Sequence, residues 1–115
     1  MKRLSFRLFG DRWSCLFVRR SELTDYRNRD SDGEPERADG DCIVPIRPED
    51  HGKIPAAFRR IRIVKDMSDE NMLETTIHEC IHGAFPWLIE EWVAALARDI
   101  AALLIRLGFQ RKHDG

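Results

Sequence analysis

Apolar and polar residues alternate along 4–9, with Leu4, Phe6 and Leu8 on one side and Ser5 and Arg7 on the other. A period of two is that of a half-buried strand. Gly10-Asp11-Arg12 reads as a turn, and 14–18 as a second strand pairing back on the first. Alternation returns at 60–64, where Ile61 and Ile63 would face a core and Arg60 and Arg62 would face out. Between these stretches lie 42–46, a short edge strand broken by Pro45, and the loop His51-Gly52-Lys53-Ile54-Pro55. Segment 27–41 contains no large apolar residue and reads as a mobile acidic loop without a functional role. The tail at 110–115 is also expected to be flexible.

Beyond residue 66 the period lengthens to that of helices. Ser68 is a natural N-cap, and Asp69, Glu70 and Glu74 suit the positive end of the helix dipole. This helix must end by about Phe85, because Pro86 disfavours helical geometry in the residue before it, and Gly83 would help the chain turn. A second helix spans about 87–107, with Gly108 as its stop. Ile89, Trp92, Val93, Leu96, Ile100, Leu103, Leu104 and Leu107 line one broad side, the pattern of a helix packed on a core. Together the elements predict an α+β domain, a small antiparallel sheet packed against two helices, formed by 1–115 as a single unit.

The first helix carries His78-Glu79-Cys80-Ile81-His82, an H-E-x-x-H pattern. At 3.6 residues per turn the two histidines stand on one side, one above the other. Neutral imidazoles so placed can hold one Zn²⁺, and Glu79 is positioned to act as the general base toward a water. The competing reading is a pair of solvated histidines; the adjacent apolar residues Leu73, Ile77 and Ile81 set the imidazoles along the edge of a core instead.

Catalytic zinc usually takes three protein ligands. Cys80 points about 200° away from His78 and reads as a small buried apolar residue. His113 lies in the tail. Glu90 and Glu91 open the second helix. Glu90 shares a side with Ala94, Ala97 and Ala101, where another helix can approach closely, whereas Glu91 shares one with Arg98. Helical phase therefore favours Glu90 as third ligand; a phase error of one residue would give Glu91.

Composition sets the surroundings. The net charge is −1, but its sign is blocked: 31–50 carry seven acids and two bases, 51–65 five bases and no acid, 66–91 seven acids and no base. Lys53, Arg59, Arg60, Arg62 and Lys65 lack aromatic neighbours, so a solvated flank explains them better than a nucleic-acid surface. Cys15, Cys42 and Cys80 are an odd number without C-x-x-C spacing, which fits a reducing, cytoplasmic setting. No apolar run is long enough to span a membrane, and the opening Met-Lys-Arg-Leu-Ser leads into no continuous apolar stretch, so neither a membrane partner nor an export signal is expected.

Ile61-Arg62-Ile63, the run 73–84 around the histidines, Glu90-Glu91-Trp92-Val93, Asp99-Ile100 and Arg106-Leu107-Gly108-Phe109 resemble small zincin-like proteins of phages and prophages. These are similar to minimal gluzincins and, distantly, to SprT and ImmA/IrrE-type metallopeptidases. The resemblance covers roughly 60–109. It implies His78, His82 and a glutamate of the next helix as zinc ligands, Glu79 as catalytic base, and an edge strand at 60–64 along which a peptide substrate could lie. The chain departs from relatives in lacking a third histidine, in its short spacer from His82 to Glu90, and in offering no evident oxyanion donor; neither Tyr26 nor His51 is placed for that role. Two functions follow as expectations: a zinc-dependent peptidase, or a non-catalytic zincin-fold metal-binding adaptor or regulator of phage origin.

Overall fold

The computed structural model describes residues 3–8, 10–29, 32–42 and 59–110. Eight elements follow in order: β1 (Arg3–Leu8), β2 (Asp11–Val18), β3 (Thr24–Arg29), β4 (Pro35–Arg37), β5 (Gly40–Cys42), β6 (Arg60–Val64), α1 (Asp69–Ala84) and α2 (Glu90–Arg106). Strands β1, β2, β6 and β5 form one sheet in that spatial order, and β3 pairs with β4 in a separate ribbon. The domain is α+β.

Direction within the sheet is where alternation along the chain is silent. β1 and β2 form the expected antiparallel hairpin, but β6 runs parallel to β2, from Ser14 opposite Arg60 to Val18 opposite Val64. The sheet is thus mixed. Residues 19–59 separate the two strands and leave ample chain for a crossover, which parallel pairing requires. β6 is also not an edge: Gly40, Asp41 and Cys42 of β5 pair antiparallel with Ile63, Arg62 and Ile61. Segment 27–41, expected as loop, supplies the end of β3, all of β4 and the start of β5. Three-residue strands without a large apolar residue carry no readable period. Of the expected strand 42–46, Cys42 lies in β5; residues 43–46 and the loop at 51–55 lie outside the described residues.

Ile61 and Ile63 of β6 are fully buried, in one cluster with Trp13, Cys15 and Met72. α1 covers this side of the sheet. Its N-cap is Ser68, whose hydroxyl accepts from the Asn71 amide at 3.2 Å, with Asp69 and Glu70 in the first turn. Phe85 caps the other end, directly before Pro86. Gly83 is not at a turn but inside the helix and buried, where its missing side chain admits the Trp13 indole.

α2 packs on α1 with a side other than its most apolar one. Val93, Ala97 and Ala101 are fully buried, whereas Trp92, Leu96, Leu103 and Leu107, expected in the core, are 47–65% exposed. Small side chains let the two helix axes approach closely. The helix starts at Glu90, three residues later than its pattern suggested, with Ile89 as N-cap. At its far end the Gly108 and Phe109 amides donate to the carbonyls of Ile105 and Leu104, with Gly108 at φ 96°. No helix among the described residues is long and apolar enough to cross a membrane.

A methyl group at Gly83 would stand 2.9 Å from Trp13 Cη2 and 3.1 Å from Leu8 Cδ2. Alanine gains about 1 kcal/mol of helix propensity over glycine, against ~1–3 kcal/mol for overpacking. Gly83→Ala should therefore destabilise the fold by about 1 kcal/mol, read as a lower urea midpoint. A midpoint at or above wild type would mean that Trp13 moves aside without cost.

Candidate metal centre

His78 and His82 stand one turn apart on α1, their ring centroids 4.7 Å apart. Both are half-buried, and both aim Nε2 toward the start of α2. There the Glu90 carboxylate receives them, with Oε1 2.8 Å from Nε2 of His78 and Oε2 2.7 Å from Nε2 of His82. The short link 85–89 turns the chain so that the first residue of α2 meets the last turns of α1. Glu91, one residue on, is exposed and lies outside this group.

The two Nε2 atoms are 3.0 Å apart. Two bare lone pairs repel at that distance, so a proton or a cation must lie between them or the carboxylate. Among the described residues, His78, His82 and Glu90 are a group able to hold a metal ion, with one donor atom each and all within 4.8 Å of one another. Two imidazole nitrogens and one carboxylate oxygen are a donor set that zinc accepts. Zinc bonds of 2.0–2.2 Å in tetrahedral geometry space the ligand atoms roughly 3.3 Å apart. With one donor atom from each residue and all within 4.8 Å of one another, small side-chain adjustments bring the three to that spacing, so the residues fit the ion.

Glu79 stays outside that group. It points from the sheet-facing side of α1, which also carries the buried Met72 and Gly83, and is 7% exposed. Its carboxyl is pushed up to about 7, first by burial and then by the negative charges of Asp41 and Glu90. A cleft of about 380 Å³ opens beside it, between α1 and the chain entering β5, lined by Asp39, Gly40, Thr75, His78, Glu79 and Glu90 among others. Gly40 makes this proximity possible: a Cβ there would lie 2.7 Å from Thr75 Cγ2 and 2.9 Å from the Arg62 carbonyl oxygen. The segment expected to be without a role thus forms one wall of the site. The single glycine between Asp39 and Asp41 was the only available signal, and nothing in sequence ties it to α1.

Other expectations resolve by position. Cys80 is half-buried against the core and is no part of the ligand group. Cys15, Cys42 and Cys80 form no disulfide, and burial raises their thiols to about 11, 12 and 11, which keeps them protonated. Tyr26 is 62% exposed and does not line the cleft. His51, Lys53 and His113 lie outside the described residues. Two of the bases in the basic flank face acids, Arg62 in an ion pair with Asp41 and Arg59 at 3.9 Å from Asp11. No protein-family model matches the chain, and no curated protein or solved structure matches it significantly.

His78→Ala or His82→Ala should abolish stoichiometric zinc in elemental analysis, because two remaining ligands hold the ion too weakly. Glu90→Gln should weaken binding, while Glu91→Gln should leave it near wild type; the reverse order would remove Glu90 from the site. Glu79 makes a separate prediction for metal-free protein. Above the usual glutamate range of 4.5 the unfolded chain has released this proton while the folded chain keeps it up to about 7. Its contribution is therefore fully present at lower pH and is lost as pH rises through about 7. The loss is on the order of 3 kcal/mol. Denaturation of EDTA-treated protein between about pH 5 and 8 should show this decline in wild type and its absence in Glu79→Gln. Parallel profiles would place the Glu79 carboxyl in contact with water.

Proposed function

We propose that this chain is a zinc-dependent peptidase. The observation that carries the reading is the division of labour among four side chains. Three donor atoms converge from two helices, and a buried carboxyl with a raised pKa stands next to them without joining them. A desolvated carboxyl beside the donors is what general-base chemistry uses. Zinc held by His78, His82 and Glu90 would polarise a substrate carbonyl and acidify a water.

Glu79, with its pKa near neutrality, is suited both to accept a proton from a water in the cleft and to return it to a leaving amine. Among the described residues β5 is the outer strand of the sheet on this side, so an extended peptide would pair with Gly40–Cys42 rather than with β6 as first expected.

A second reading rests on Glu90 itself. Its two oxygens reach both imidazoles, so a metal there would clasp α2 to α1 and serve a binding or regulatory module without turnover. Hydrolysis of an unfolded protein mixture with added zinc separates the two. Wild type should cleave and Glu79→Gln should not, at equal zinc content, since loss of a general base costs about 10²–10⁴ in rate. No cleavage by wild type, or equal cleavage by the mutant, would leave the clasp.

A further inference from the structure

α2 has a second apolar side. While Val93, Ala97 and Ala101 meet α1, Leu96 is 47%, Leu103 56% and Leu107 65% exposed, with half-buried Ile100 between them. At 100° per residue these four fall within about 60° of one another, a continuous seam along the helix. Their spacings are 4, 3 and 4 residues, and the exposed Ile89 and Trp92 continue the same side toward the start of the helix. Spacings of three and four are those of a seam between two helices, and such a run can be laid antiparallel on a copy of itself. Leu96 then meets the partner subunit's Leu107, and Ile100 meets the partner subunit's Leu103.

The charges beside the seam select the same register. Asp99 and Arg106 lie along one edge of it, on the side away from α1. Antiparallel pairing sets Asp99 opposite the partner subunit's Arg106, and the two-fold axis repeats the contact. A parallel pair would carry the two copies of this edge to opposite sides of the seam, where Asp99 and Arg106 do not meet. Among the described residues Asp99 has an exposed contact with Arg98 at 3.4 Å.

We propose that α2 is the two-fold interface of a homodimer, paired antiparallel through Leu96, Ile100, Leu103 and Leu107. A helix of 17 residues is about 25 Å long and buries less than a standard interface, so the dimer dissociates on dilution.

Sedimentation velocity of the full chain from about 1 to 200 µM should show the mass rise from 13.4 kDa toward twice that value. Leu103→Glu should stay monomeric throughout with an unchanged far-ultraviolet circular dichroism spectrum. Should that variant misfold, the charge pair decides. Asp99→Arg and Arg106→Asp should each raise the dimer dissociation constant about tenfold, and the double variant should restore it. Wild type that remains monomeric at all concentrations, or single and double charge variants that behave alike, would overturn the proposal. Monomeric wild type that sediments with phosphatidylglycerol vesicles would overturn it too, assigning the seam to lipid.

Discussion

The carboxylate of Glu90, held between two imidazoles, sets how α2 lies on α1. With that contact at the first residue of the helix, the side of α2 facing α1 is the one that runs from Glu90 through Val93, Ala97 and Ala101. Only small side chains allow the axes close enough for both Nε2 atoms to stay within 3 Å of the carboxylate. The larger apolar residues are turned outward as a consequence. Packing by hydrophobic area alone would have rotated the helix the other way, burying Leu96 and Leu103 and carrying Glu90 off the histidines.

The same balance operates on the opposite side of α1. Met72 and Gly83 press on the sheet as expected of an amphipathic helix, and Glu79 sits on that side at a position where an apolar residue would stabilise the fold more. Burial there raises its carboxyl toward neutrality, and the nearby charges of Asp41 and Glu90 raise it further. A desolvated carboxyl is unfavourable for stability and useful for moving a proton, which is why its placement bears on function. β5 supports this arrangement. It pairs with β6, brings Gly40 against Thr75 of α1 and closes one wall of the cleft.

Long periodic elements were legible in the sequence. In β6 Ile61 and Ile63 face the core and Arg60 and Arg62 do not, as the alternation expects, α1 began at the cap set by Ser68 and ended before Pro86, and the H-E-x-x-H spacing alone put His78 and His82 on one side of a helix. Phase carried one step further and separated Glu90 from Glu91, because a strip of alanines marks where a helix can be approached closely. These features depend on neighbours within a few turns of the same chain, and the sequence by itself determined them. Tertiary structure decided what depends on partners distant in sequence. The parallel pairing of β2 with β6 leaves no trace in either strand, since side-chain alternation is the same for both directions. The three residues of β5 are too short for a period and exist as a strand only because β6 offers its edge. The burial of Glu79 comes from the sheet beneath α1, and the outward turn of Leu96 and Leu103 comes from Glu90 reaching the histidines. Each is set by a contact between segments whose separation in sequence is too great for local pattern to encode.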